Sequence, residues 1–153
     1  MRENDIYEDT LKMFTEFLSE HKCRKTPERF AILEHIHSNE GFFNAETLYE
    51  DMKNEFRVSL ATVYNTLELL ISCNLISKNQ FGGNKFLYQK TFGTTAQHHM
   101  ICSVCGSVKE FSDRKFQAHI DTKYFATFTT SYYTLNLYGV CKKCSKIKKS
   151  KKI

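Results

Sequence analysis

The sequence predicts an α+β fold in two parts: an N-terminal winged helix-turn-helix domain, and a small C-terminal α/β domain built around four cysteines. Three observations carry this. Capped, one-sided helical patterns run as far as Asn74 and give way to two short strands around Gly82-Gly83-Asn84. A segment of small and hydroxyl residues, Thr91-Phe92-Gly93-Thr94-Thr95-Ala96, then breaks the pattern. Beyond it stand Cys102-x-x-Cys105 and Cys141-x-x-Cys144.

The first helix follows from Tyr7, Leu11, Phe14, Phe17 and Leu18, which recur at steps of three and four and so share one face. Lys25-Thr26-Pro27-Glu28-Arg29 opens the second. Thr26 suits the cap, Pro27 the first helical position, and Glu28 the positive end of the dipole. That helix is expected to reach about Ser38 and to bury Phe30, Leu33 and Ile36 or their neighbours. Asn44 caps a short third helix with Ala45, Leu48, Tyr49 and Met52 as its apolar stripe. Ser59 caps a fourth, over residues 60–73, that turns Val63, Leu67 and Leu70 inward; Asn74 suits the left-handed residue that closes it.

Residues 75–81 and 85–89 then read as a hairpin. Helices followed by a hairpin spell a winged helix, in which the fourth helix is the element placed to enter a major groove. The expected organisation is a winged-helix domain over residues 1–90, a hinge over 91–96, a zinc-containing domain over 97–145 and a basic disordered tail over 146–153. In the second domain, His98 to Ile101 leads into the first cysteine turn and Ser107 to Phe111 leads out. Asp113 or Ser112 can cap a helix through Phe116, Ile120 and Tyr124. The stretch from Phe125 to Tyr138, dense in Thr, Tyr and Phe, is strand-like.

Each CxxC pair lets two thiolates on one tight turn reach a single tetrahedral ion, and in a reducing cytosol such pairs favour zinc over disulfides. Four thiolates leave no open coordination position, so Cys102, Cys105, Cys141 and Cys144 are expected to hold one structural zinc per chain. The alternative is four unrelated buried thiols. Cys23 and Cys73 stand alone and read as small core residues.

The net charge of +5 is unevenly placed: residues 1–90 carry −3 and residues 91–153 carry +8, seven lysines lying from Lys142 onward without an acid. Charge alone therefore marks a basic tail rather than a duplex-binding face, and DNA binding rests on the architecture. No apolar run in the chain reaches membrane-spanning length, and the stretch from Met1 to Asp9 offers none for a signal peptide, so a cytoplasmic location is expected.

Taken together, Ala61-Thr62-Val63-Tyr64, His98-His99-Met100-Ile101-Cys102-x-x-Cys105-Gly106, Glu110-Phe111 and Tyr138-Gly139-Val140-Cys141-x-x-Cys144 resemble the Fur (ferric uptake regulator) family over nearly the whole chain. The resemblance implies a DNA-binding transcription regulator, a repressor, whose C-terminal half forms a homodimer through its sheet so that two wings address a pseudo-palindromic double-stranded operator. It gives Tyr64 the approach to thymine and puts Ser59 and Thr62 near phosphate. Asn65 follows Tyr64 as in peroxide-sensing members, where iron-sensing members often carry Arg; a bidentate Asn suits adenine as Arg suits guanine. The alternative for Tyr64 is an ordinary core aromatic. On physical grounds Lys25 and Arg29 are phosphate-contact candidates, or simply a solvated face.

The family's regulatory metal site is where the chain departs from the resemblance. The positions that would supply His and carboxylate ligands read Phe42, Gln89, Gln97 with His99, and Glu110; those of a neighbouring accessory site read Ala96, His98, Gln117 and Tyr133. Phenylalanine has no donor atom and a carboxamide is a poor ligand, so both sites look disabled. Two readings of the histidines stay open: His98 and His99 with one packed in the sheet and the other facing solvent, or His98, His99 and Glu110 as a re-sited second metal. A zinc enzyme is disfavoured, because the deaminase and zincin motifs are absent and the only proline is Pro27. A zinc-stabilised protein-interaction module without specific DNA binding is the remaining alternative, and it leaves the winged-helix half unexplained.

Overall fold

The computed structural model describes residues 3–82, 84–93 and 97–150. The chain divides into two compact units, Met1–Gln80 with Asn84–Gly93, and Phe81–Gly83 with Thr94–Ile153. The expected hinge falls partly on residues 94–96, outside the described residues. Residues 81–83 group with the second unit rather than with the hairpin that contains them: Phe81 is buried there, its ring 5.0 Å from that of His99.

The first unit holds α1 (Glu3–Glu20), α2 (Pro27–Ser38), α3 (Ala45–Met52) and α4 (Leu60–Ser72), then the antiparallel pair β1 (Ile76–Asn79) and β2 (Leu87–Lys90) in the register Ile76↔Lys90 to Asn79↔Leu87. Its core gathers one face of every helix: Phe14 and Leu18 from α1, Ile32, Leu33 and Ile36 from α2, Ala45, Leu48 and Met52 from α3, Val63, Leu67 and Leu70 from α4, closed by Leu75, Ile76 and Tyr88. This is the face that the periodicity predicts, except that Phe17 lies outside the cluster, stacked on His21, and that Phe30 is half-buried while Ala31 and Ile32 are inside.

Local chemistry sets the boundaries. The Asn44 side chain accepts from the Thr47 amide at 2.8 Å, and the Ser59 hydroxyl accepts from the Thr62 amide at 3.1 Å. Asn74 ends α4 at φ +58, the left-handed conformation that asparagine tolerates. Thr26 has the extended backbone of a cap, but its side chain makes no capping bond; its carbonyl accepts from the Arg29 amide at 3.1 Å. Phe43 adds a contact that periodicity does not announce, pairing antiparallel with Tyr88 through two backbone bonds of 3.0 and 2.8 Å and fastening the start of α3 to β2.

The second unit contains β3 (Gln97–Cys102), β4 (Val108–Phe111), α5 (Arg114–Asp121), β5 (Thr134–Gly139) and α6 (Lys142–Ser150), with strand order β4-β3-β5. Strand β3 is antiparallel to β4 and parallel to β5. Asp113 caps α5, accepting from the amides of Lys115 and Phe116 at 3.0 Å each.

Two expectations are corrected here. Strand-like composition runs from Phe125, yet the strand begins only at Thr134; before it Phe125, Phe128 and Tyr132 are exposed and no partner strand lies beside them among the described residues. Strand propensity expresses packing against neighbours, and without neighbours it does not act. The expected tail does not become irregular at Lys146, since α6 continues through Ser150: Cys141 and Cys144 fix its first turn, and lysine propagates a helix well once one is nucleated.

Leu67 is fully buried at the centre of the first core. Leu67→Ala is expected to lower its stability by about 2–5 kcal/mol and Ser59→Ala by about 1 kcal/mol. Chemical denaturation read by circular dichroism checks both, and Ser59→Ala should be the milder in every case.

Candidate functional site

The parallel pairing of β3 with β5 determines where the cysteines meet. Parallel neighbours end at the same edge of a sheet, and the register Cys102↔Gly139 brings the exit of β3 level with the exit of β5. Both CxxC turns therefore leave from one place. The first is tightened by Gly106, at φ +71, whose amide donates to the Cys102 carbonyl at 2.9 Å, while the Cys102 amide donates to Ser107 at 2.9 Å. The second runs straight into α6, where the Ser145 amide donates to the Cys141 carbonyl at 2.9 Å. Across them the Ser103 amide donates to the Gly139 carbonyl at 2.8 Å.

All four Sγ atoms lie within 4.8 Å of one another, and Cys105 Sγ is 3.8 Å from Cys141 Sγ. A tetrahedral zinc with bonds of about 2.3 Å sets its sulfurs about 3.8 Å apart, so the donors fit the ion in type and in spacing. Their acidity points the same way. The Cys141 amide, 3.3 Å from Cys102 Sγ, is the foremost of three backbone donors that push the Cys102 thiol down to about 6. The Ser107 hydroxyl lowers Cys105, whereas the neighbouring Cys141 sulfur and burial push Cys144 up to about 12. Four sulfurs crowded this closely cannot all become anionic without a countercharge, which a divalent cation supplies. The quartet is a structural zinc centre, one per chain.

His98 and His99 do not fit the first of the two sequence readings, because both are buried. As neighbours on β3 they face opposite sides of the sheet. His99 Nδ1–H donates to Asn136 Oδ1 on β5 at 2.9 Å. His98 packs among Phe111, Phe116 and Tyr133, with ring centroids 5.3, 5.5 and 5.8 Å away. Glu110 pairs with His99 in register and is exposed. The structure does not bring these three side chains together as one site: among the described residues the four cysteines form the only group able to hold a metal. Of the remaining regulatory positions, Phe42 is half-buried and Gln89 is buried, both in the first unit; Gln117 and Tyr133 are half-buried in the second; Ala96 lies outside the described residues.

On α4 the residues separate cleanly. Val63, Thr66, Leu67 and Leu70 are inside, while Ser59, Tyr64 and Asn65 are exposed and Thr62 is half-buried. Tyr64 is thus no core aromatic. Its hydroxyl donates to Glu46 Oε1 on α3 at 2.7 Å, a partner that sequence reading missed, because nothing in the chain marks a pair separated by 18 positions. Lys25 is exposed, and the Arg29 guanidinium donates to the Arg24 carbonyl.

A helix-turn-helix with a two-stranded wing, joined to a small sheet closed by four thiolates, defines a winged-helix protein with a structural zinc centre. Comparison with known families makes this specific. The model of the ferric uptake regulator family matches residues 20–138, and the chain belongs to that family. The peroxide operon regulator of Bacillus subtilis is 32% identical over 143 residues, covering 89% of this chain and 94% of the relative. The peroxide-responsive repressor PerR of Staphylococcus aureus is 27% identical over 123 residues, covering 79% and 82%.

Among solved structures, the ferric uptake regulator of Pseudomonas aeruginosa with manganese aligns with a TM-score of 0.68 at 25% identity, over 84% of this chain and 97% of its own. That of Helicobacter pylori shares the fold at a TM-score of 0.69 and 20% identity, over 91% and 93%. The chain is a transcription regulator of this family and not an enzyme. No helix among the described residues is long and apolar enough to cross a membrane.

Elemental analysis of the purified chain should give one zinc per protomer. Replacing Cys141 and Cys144 together by serine should abolish that zinc and unfold the second unit, because structural zinc contributes roughly 10–16 kcal/mol of apparent binding free energy. Two-dimensional NMR resolves the outcome by unit: dispersed resonances should persist for the first and collapse for the second.

Proposed function

We propose that the protein binds double-stranded DNA sequence-specifically as a homodimer and represses transcription, with α4 as the reading helix and the zinc as a purely structural metal. The observation that carries this is the division of α4. Its capped N-terminal end presents Tyr64 and Asn65 outward on a helix whose opposite face is locked into the core by Val63, Leu67 and Leu70. A helix end of this kind fits a major groove, Asn65 matching the edge of adenine and Tyr64 the methyl group of thymine. Ser59, Thr62, Lys25 and Arg29 flank it as phosphate contacts, Arg29 after releasing the Arg24 carbonyl.

Dimerisation is supported by the second unit's surface. Met100, Leu137, Tyr138 and Val140 are exposed and line a pocket of about 360 Å³. So much apolar surface on a unit with so little buried core is covered naturally by a second copy. The repressor role follows the name of the Staphylococcus aureus relative.

The regulatory signal does not pass through a second metal held by the usual His and carboxylate set. Phe42 and Gln89 offer no strong donor, and His99 is engaged with Asn136. The lysines of α6 add nonspecific phosphate attraction, screened by salt.

Selection from random DNA, followed by footprinting, should return a two-fold-related site, and Tyr64→Ala or Asn65→Ala should each cost about 1–3 kcal/mol on that site while leaving nonspecific binding nearly unchanged. No sequence preference at all would favour the protein-interaction reading. Titration of the zinc-replete protein with divalent manganese or iron is expected to leave operator affinity unmoved; a tight, stoichiometric second site that changes it would overturn the structural-only account of the metal.

A further inference from the structure

Tyr64 is an exposed tyrosine whose hydroxyl is already spoken for. It donates to Glu46 Oε1 at 2.7 Å, and Glu46 stands in the first turn of α3, two residues past the cap Asn44. That turn is well anchored. Asn44 holds the Thr47 amide, and Phe43 pairs with Tyr88 of the wing through two backbone bonds. The Tyr64 hydroxyl foremost, then the backbone amide of Glu46 and the ammonium of Lys85, hold the carboxyl below the usual range, so the acceptor is an anion at neutral pH. The positive end of α3 favours the same charge. An acid has no electrostatic reason to stand beside a surface meant for phosphates.

A tyrosine hydroxyl has one proton and two lone pairs. With the proton committed to a carboxylate, it cannot donate to purine N7, guanine O6 or thymine O4. What remains for the duplex is an acceptor lone pair, suited to the amino group of adenine or cytosine, and the ring edge, suited to the thymine methyl group. A guanine edge, which offers only acceptors in the major groove, meets no complementary group.

We infer that Glu46 is a specificity-determining positioning residue: by taking the Tyr64 hydroxyl proton it converts the reading tyrosine from a donor into an apolar and acceptor probe, excluding guanine at the base it faces. The inference rests on α4 being the reading helix. Glu46 acts through Tyr64 and makes no base contact of its own. Because Glu46→Gln keeps an oxygen acceptor and removes the charge, while Glu46→Ala removes both, the two substitutions separate the hydrogen bond from electrostatics.

The test uses full-length, zinc-loaded wild type, Glu46→Gln, Glu46→Ala, Tyr64→Phe and the Glu46→Ala/Tyr64→Phe double variant. Fluorescence anisotropy at fixed salt measures each against the site selected by the wild type and against that site with every base pair substituted in turn; thermal melting controls for folding. Glu46→Ala should relax the discrimination against guanine at one position per half-site by roughly tenfold, the value of a good groove contact. Glu46→Gln should keep that discrimination while binding random DNA more tightly, and in the Tyr64→Phe background Glu46→Ala should change the ratio no further. Unchanged base preference in Glu46→Ala, equal loss in Glu46→Gln, or an undiminished effect without the Tyr64 hydroxyl would each overturn the inference and leave DNA reading by α4 intact. A wild type without any selected site would remove both.

Discussion

The parallel contact between β3 and β5 is the constraint on which the second half of the molecule depends. Side by side and pointing the same way, the two strands deliver Cys102 and Cys141 to one edge of the sheet, and the turns after them swing Cys105 and Cys144 into the same small volume. Parallel strands need a long connection, which β4, α5 and the loop to Thr134 supply, and closing such a connection is entropically costly. An ion gripping both ends offsets that cost. Among the described residues of this unit the buried apolar set is only Phe81, Ile101, Cys102 and Cys144, so the metal stands where a larger domain would have a core.

The first unit is held by other means. Four helices each contribute one apolar face to a continuous cluster, and the wing closes it with Ile76 and Tyr88. Packing of this kind makes the scaffold rigid and holds the exposed side chains of α4 in defined positions. Polar links finish the surface: Asn44 and Ser59 cap the two helices of the helix-turn-helix, and the bond from Tyr64 to Glu46 ties one to the other. The two units thus illustrate two routes to a defined fold in a short chain, burial in one and coordination in the other.

How far the sequence could be read depended on whether a feature is local. The caps Asn44, Ser59 and Asp113, the left-handed Asn74, the helical stripes and the CxxC turns all concern residues within one turn of each other, and they lie where expected. The strand expected from Phe125 failed over its first half, because its composition is that of a strand while no neighbour is present to pair with it. His98 and His99 depart from the reading of one packed and one solvent-facing ring for a related reason. Alternation along a strand implied one buried and one exposed ring, yet both faces of β3 are covered, one by aromatic side chains around His98 and the other around His99 by Phe81 and Asn136.

By itself the sequence determined the first five helices, the hairpin, the two-part fold class and the identity of the four metal ligands, since each is encoded in short-range spacing that backbone geometry and thiolate chemistry interpret directly. Only the tertiary structure decided which strands run parallel, that Phe43 joins the wing, that the two histidines point apart, and that a carboxylate from α3 holds the hydroxyl of Tyr64. These are contacts between residues distant in the chain. Their energies arise from packing and desolvation that exist only once the whole unit has closed, and a linear pattern carries no trace of them.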